Sequence, residues 1–391
     1  MRILFLSFYF EPDLCAGSFR NTPLVKKIAE QLPENGEVVV ITTKPNRYKS
    51  YSVEALSYEA RGKIKIHRID IPTHNSGMKD QIKSFYTYYR NVLRISKKYK
   101  FDLVYASSSR LFTAYLGHKI SERQDIPYYV DVRDIFVDTM EGLLTNKLIR
   151  FVGLPVLKLI ESTTFKKATH INLISEGFHS YFREKYTKPT YSFFSNGIDD
   201  LFLKPSQEIK KKGEVFKIVY AGNIGEGQGL EKIIPLAAKS LSDQYQFEIY
   251  GGGGAENKLK NKIKELQVTN VKINKPVSRD MLLDIYAKAD FLFLHLNNFK
   301  AFEKVLPSKL FEYGACNIPI IAGVNGFSRE FILKNMKNTL VFEPCNHKEL
   351  VKIILNYDYK KVVRLEFIER FKRSSINSEM AKSIANIEKY L

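Results

Sequence analysis

Short apolar runs alternate with longer amphipathic stretches along nearly the whole chain, and the alternation starts twice. In the first half the runs stand at 2–8 (RILFLSF), 37–42 (EVVVIT), 63–69 (KIKIHRI), 102–107 (DLVYAS), 127–132 (PYYVDV), 169–175 (THINLIS) and 191–196 (YSFFSN). Runs of this kind predict strands buried on both faces, with helices filling most gaps; residues 21–32 read as the clearest helix. Around 200–214 the sequence turns polar, charged and proline-containing, which reads as a linker over 201–214. The alternation then restarts, with strands predicted at 216–222, 246–251, 271–274, 290–296, 318–323 and 339–342. A final amphipathic helix is predicted over 378–391, capped by Ser378 and with Met380, Ile384, Ile387 and Leu391 on one side. The restart predicts an α/β chain of two similar Rossmann-like parallel-sheet domains, over 1–200 and 215–375.

Length and composition agree with that plan. The 391 residues exceed the usual size of one domain, and 44% hydrophobic with 13% aromatic residues suffice for two cores and exclude disorder. Three cysteines at wide spacing (Cys15, Cys316, Cys345) form no disulfide framework, which fits a reducing cytoplasm. The seven histidines form no ligand-spaced cluster, so neither a metal nor a cofactor is expected. The apolar N-terminus is short and followed by EPD, so it reads as a first buried strand and not a leader. No apolar run reaches the length of a membrane span.

The formal charge of +19 bears on the choice of partners. Basic residues exceed acidic ones by 30 to 21 in residues 1–200 and by 31 to 21 in the rest, so the excess is no basic tail. A surface of this kind favours polyanions: nucleic acid, anionic lipid or phosphorylated substrates. No nucleic-acid motif accompanies it, and no nucleic-acid partner is expected. Residues 79–100 and 143–167 mix Lys and Arg with aliphatic and aromatic residues, as suits an enzyme lying on an anionic membrane surface; a solvated helix face is the plainer reading.

Open α/β sheets bind ligands beyond the carboxyl ends of their strands, so the candidate chemistry lies in the loops that follow strands. After the first strand, Gly17 between Ala16 and Ser18 suits close approach of an anion to backbone N–H groups just before a helix, or an ordinary turn. After the first strand of the second half, four glycines fall within 222–229, with Asn223 and Gln228 as added donors. Four more glycines at 251–254 read either as a hinge edge or as a plain loop. Pro307 is expected to open a helix with Ser308 and Lys309 in its first turn. A cation there opposes the helix dipole, which makes sense if Lys309 balances a bound pyrophosphate. Glu312 shares that face and suits a ribose diol, although a plain Lys–Glu pair is the bland alternative. Residues 130–138 crowd Asp131, Arg133, Asp134 and Asp138 at the end of an apolar strand. They read as a structural Asp–Arg pair or as hydroxyl recognition.

With these segments in hand, the chain resembles glycosyltransferase family 4, the retaining enzymes of GT-B architecture. The most specific stretch is PSKLFEYGACNIPIIAGV (307–324), similar to the P-S-K-x-F-E-Y segment of the polysaccharide-assembly branch. AGNIGEGQGLEKI (221–233), DVRDIF (131–136) and the first twenty residues agree with that branch in order and spacing. The likeness extends to the N-acetyl-L-fucosamine transferases of O-antigen and capsule synthesis.

The resemblance implies two domains facing across a cleft, with residues 376–391 returning to the N-terminal domain. It implies a UDP-sugar donor with Glu312 on the ribose and Lys309, Ser308, Asn223, Gly225, Gln228 and Gly252 around it. Gly17 is implied to bring amides from the other domain, and Asp131, Arg133 and Asp134, with Asp13, to orient sugar or acceptor hydroxyls. It implies a lipid-linked diphosphate saccharide as acceptor, met at the inner face of the membrane. The sequence departs from the family where Lys304 stands eight residues before Glu312, with Glu303 displaced by one. The Arg and Lys common after the first strand of the second domain are absent, which leaves Lys309 as the expected cation on the pyrophosphate. Where the family often has His, this chain has Arg133. A UDP-sugar epimerase of similar two-domain architecture is the alternative reading.

Overall fold

A computed structural model describes residues 1–13, 15–46, 53–72, 78–108, 110–143, 147–203, 215–241 and 243–390. The chain divides into two compact units, Met1–Asn196 with Ser374–Leu391, and Gly197–Arg373. Most of the expected linker, from 204 to 214, lies outside the described residues. Its start, Asp200–Leu203, is a short 3-10 turn whose Phe202 is buried in the second unit's core.

The first unit is built on β1 (Arg2–Leu6), β2 (Glu37–Thr43), β3 (Tyr58–Arg61), β4 (Ile64–Ile69), β5 (Leu103–Ser107), β6 (Tyr128–Val132), β7 (His170–Leu173) and β8 (Thr190–Ser192). They form one sheet in the order β3-β4-β2-β1-β5-β6-β7-β8, parallel except for β3, which runs antiparallel to β4. β1 is central, pairing Ile3 with Val38 on one side and Leu103 on the other. Its apolar residues are buried on both faces, which is why the run is continuous and not alternating. β3 is the strand the hydrophobic pattern did not predict. It is a mostly exposed edge of polar residues, closed onto β4 through Gly62 at φ +54°.

The second unit contains β9 (Phe216–Asn223), β10 (Tyr245–Gly252), β11 (Val271–Asn274), β12 (Phe291–His295), β13 (Ile320–Gly323) and β14 (Thr339–Phe342). All are parallel, in the order β11-β10-β9-β12-β13-β14. In each sheet the strand order reverses beside the unit's first strand, between β1 and β5 and between β9 and β12. A ligand crevice opens outside the carboxyl ends at such a reversal.

Two helices differ from expectation. The first starts at Ala16, not at residue 21, and runs to Gln31 with Pro23 inside. Arg20 and Asn21 are buried side chains of its inner face. The last helix is Arg373–Ala385, followed by a 3-10 turn at Ile387–Tyr390. Ser378 is therefore inside the helix, where its hydroxyl donates to the Ser374 carbonyl 2.9 Å away, and is not a cap. Met380, Ala381, Ile384 and Ile387 join the first unit's core with Ile3, Phe5 and Leu24.

Candidate active site

The loop leaving β9 is shaped by its glycines. Gly229 lies at φ +57°, where other residues are strained, and a Cβ there would press on Asn297. Within the loop, Gln228 Oε1 accepts from the Gly225 N–H at 3.2 Å and from Asn223 Nδ2 at 3.0 Å. Asn223, Gly225 and Gln228 are thus gathered into one knot at the mouth of the crevice. Gly252 ends β10 beside them, its carbonyl accepting from the Ile224 N–H at 3.0 Å. Of the glycines at 251–254, two answer a packing demand. A Cβ on Gly251 would come within 1.8 Å of the Gly222 carbonyl, and one on Gly253 within 2.5 Å of the Ile224 carbonyl. Gly252 itself has room for a side chain.

Two polar residues at and just past the end of β12 fix this loop, and sequence reasoning missed both. The fully buried His295 places Nδ1 2.6 Å from the Gln228 carbonyl and Nε2 2.9 Å from the Cys345 N–H. A carbonyl only accepts and an N–H only donates, so the imidazole is neutral with its proton on Nδ1. Asn297 donates from Nδ2 to the Glu226 carbonyl at 2.7 Å and accepts from Lys232 at 3.0 Å. A histidine and paired asparagines ending an otherwise apolar strand were the available signal.

Burial pushes the His295 pKa down to about 4 from 6.5. The unfolded chain therefore takes up a proton that the fold refuses. Stability is full above pH 6.5 and falls as the pH drops toward 4, by about 3 kcal/mol over the window. The buried His170, also lowered to about 4, shares that window. Chemical denaturation of His295→Asn between pH 7 and 4 is expected to show a shallower loss of stability than the wild type; an unchanged slope would contradict the assignment.

The helix connecting β12 to β13 is Lys309–Ala315, with Ser308 at its N-cap position making no side-chain cap bond. Topology places its N-terminus at the carboxyl side of the sheet. Lys309 Nζ lies 2.7 Å from Glu312 Oε2 and 3.3 Å from the Tyr286 hydroxyl. The Lys309 and Glu312 side chains keep 24% and 16% of their surface exposed, so the pair is open to a ligand on one side. Tyr286 is buried and packs edge-on against Tyr313, whose hydroxyl accepts from the Ala221 N–H at 3.3 Å. That aromatic pair ties the cation to β9. Glu303 and Lys304 lie in the 3-10 turn Lys300–Lys304, against which Gly326 packs at φ +56°.

In the first unit, Asp131 departs from the expected role in hydroxyl recognition. It is fully buried, and both oxygens are taken by the Arg20 guanidinium, from Nε at 2.8 Å and Nη2 at 2.9 Å, with Asn172 Nδ2 at 2.6 Å. Arg20 also donates to the Ser195 and Phe194 carbonyls at 2.7 and 2.8 Å. The pair is structural, and the partner is Arg20, not the neighbouring Arg133. Asp13 is buried and accepts from the Asn46 N–H at 3.2 Å. Asp134 is exposed and accepts from the Thr139 hydroxyl at 3.4 Å.

Arg133 stays available. Its Nη2 donates to the Ala16 carbonyl at 3.2 Å, while Nε and Nη1 are buried and meet no partner among the described residues. Burial, and next the Arg20 charge, lower its pKa. It lies against Gly17, where a Cβ would sit 3.2 Å from Tyr9 Cβ and 3.5 Å from Arg133 Nη1. The structure therefore brings Gly17 and Arg133 together at the start of a 16-residue helix whose first turn carries no acidic residue. Arg110, just beyond β5, stacks on Phe8 at 4.2 Å and donates to the Tyr9 hydroxyl at 3.1 Å. Sequence reasoning missed it too. Among the described residues no three His, Cys, Asp or Glu side chains gather as metal ligands.

Residues 203–369 match the model of the family described as glycosyl transferases group 1. The putative colanic acid biosynthesis glycosyl transferase WcaI of Escherichia coli K12 is 34% identical over 93 residues, 24% of this chain and 23% of that protein. The match thus spans under a quarter of that relative's length. Sucrose-phosphate synthase from Thermosynechococcus elongatus shares the fold with a TM-score of 0.79 at 14% identity, over 100% of both chains. HepE of Anabaena, solved in complex with UDP and glucose, has a TM-score of 0.70 at 16% identity, over 98% of this chain and 99% of that one. At these identities the shared feature is the fold, two Rossmann-like domains of the GT-B type.

Proposed function

We propose that this chain, a glycosyltransferase by its group 1 domain and GT-B fold, moves a sugar from a UDP-sugar to a lipid-linked saccharide during assembly of a surface polysaccharide. The observation that carries the donor site is the Lys309–Tyr286–Glu312 cluster, set at the strand-order reversal beside the glycine loop of the matched domain. Lys309 faces the pyrophosphate, Glu312 accepts from the ribose hydroxyls, and Asn223, Gly225, Gln228, Gly252 and Ser308 line the donor. Gly17 and Arg133 offer a second positive locus for phosphate, and Asp134 reaches sugar or acceptor hydroxyls. The UDP bound to HepE and the colanic acid biosynthesis in the name of WcaI support this choice of donor and pathway class.

Transfer from a diphosphate needs stabilisation of charge on the departing phosphate and exclusion of water, more than a strong nucleophile. In the retaining reaction we favour, the acceptor oxygen bonds to the anomeric carbon on the face that UDP leaves. The bond from that carbon to the phosphate oxygen breaks, and the acceptor's proton passes to the phosphate. Lys309 stabilises the leaving group, and no metal takes part. The sugar we favour is an N-acetylamino sugar such as N-acetyl-L-fucosamine. The enzyme works at the inner face of the cell membrane, in the cytoplasm.

Mass spectrometry tests this. Purified protein is incubated with UDP-N-acetylamino sugars, EDTA and polyprenyl-diphosphate saccharides. Release of UDP with a matching gain of one sugar on the lipid is expected. Isomerised UDP-sugar without acceptor consumption would restore the epimerase reading.

A further inference from the structure

The helix Lys147–Lys166 in the first unit has the wrong outer face for a solvated helix. Its inner side buries Leu154 and Phe165, together with Glu161, which is held by the Tyr181 and Tyr186 hydroxyls. Outward it presents Phe151 at 80% exposure, Val152 at 60%, Val156 at 52% and Leu159 at 67%. Positions 152, 156 and 159 follow helical spacing, so the four form a continuous apolar crest. A water-facing helix carries charge there.

The surroundings of the crest are cationic. Arg150 and Lys158 flank it with half of their side chains exposed, and Lys167 lies just past the helix end. Glu141 is within 4 Å of Arg150 and Lys158, and Glu122 pairs with Lys119 and Lys167, so each acidic residue faces two cations. The helix Met78–Ser96 adds exposed Ile82 and Tyr86, with the Arg90 guanidinium over the Tyr86 ring at 5.8 Å. Both helices pack on the helix Leu111–Gln124.

Charge decides what covers this face. In a symmetric dimer each patch would meet its own copy, setting Arg150 and Lys158 against like charges. An anionic bilayer instead accepts the crest among its acyl chains, while long basic side chains reach the headgroup phosphates. Among the described residues no helix is long and apolar enough to cross a membrane, so the contact lies in the interfacial plane. We propose that this outer face is the lipid-docking surface of the first unit, with Phe151, Val152, Val156 and Leu159 in the acyl region and Arg150 and Lys158 at anionic headgroups. The proposal draws its purpose from the lipid-linked acceptor proposed above; the docking is measurable without it.

Flotation of the full chain with phosphatidylglycerol-containing vesicles, against pure phosphatidylcholine vesicles, tests it. The wild type is expected to float with the anionic vesicles, and high salt is expected to reduce this. The double variant Phe151→Ser/Leu159→Ser is expected to partition at least about tenfold less, because each lost side chain gives up the burial of a large apolar group. Its melting temperature and its UDP binding should match the wild type. Equal flotation of variant and wild type, no flotation of either, or a wild-type dimer that the variant dissociates would each overturn the proposal. Docking without sugar transfer to lipid would keep this surface and remove the acceptor reading.

Discussion

Lys309→Ala is expected to lower kcat/KM for the UDP-sugar by about 10²–10³-fold, the usual cost of removing one preorganised donor from a developing anion. The loss should fall mainly on kcat, because charge on the phosphate grows as the glycosidic bond breaks. The fold should be almost untouched. Lys309 and Glu312 form a partly exposed pair within one helix, of a kind that contributes about 0–1 kcal/mol, and Glu312 retains the Tyr286 hydroxyl. Lys309→Arg is expected to rescue only part of the rate, since a planar guanidinium replaces a compact ammonium against the Tyr286 hydroxyl. Steady-state kinetics with a melting curve for each variant separates these effects. Wild-type kcat in the alanine variant would remove Lys309 from the mechanism.

Asp131→Ala should act in the opposite way, destabilising the fold by about 3–5 kcal/mol. It leaves the Arg20 guanidinium buried with carbonyl oxygens and the Met380 sulfur as its remaining partners. The pair joins β6 to the first helix and to the chain at 194–195, so its loss loosens three elements together. Arg20→Met combined with Asp131→Leu should recover much of the stability, because no uncompensated charge remains buried.

The pH dependence of this pair follows from the direction of the shift. Burial disfavours the Asp131 carboxylate, but the Arg20 charge and hydrogen bonds outweigh it and hold the pKa below its ordinary value. Its contribution is therefore full above the ordinary carboxylate range and is lost as the pH falls through the lowered folded value. Denaturant titration measures both effects. A stable Asp131→Ala protein without turnover would return Asp131 to substrate recognition.

The strands were legible because a parallel sheet covered on both faces requires unbroken apolar runs, as in β1, β6 and β12. β3 was not, because a half-exposed edge carries no such run. The Lys309–Glu312 pair was legible from its spacing within one helix, whereas Tyr286, 23 residues away from Lys309, was not. The same limit explains Asp131. The two arginines compete for one carboxylate, and the winner stands 111 positions away while the loser is two residues on. Sequence spacing favours the near one; the fold pairs the far one and leaves Arg133 with open donors beside Gly17. His295 and Asn297 escaped notice because their partners are backbone groups of another loop, which residue identities do not encode.

Calorimetric titration of UDP into the wild-type chain in the presence of EDTA, repeated with Lys309→Ala and Glu312→Gln, is the decisive experiment on the donor site. Saturable binding of UDP in preference to ADP and GDP is expected, persisting without metal and weakened in both variants. UDP binding that is absent, or equally strong in all three proteins, would contradict a donor site built on Lys309 and Glu312.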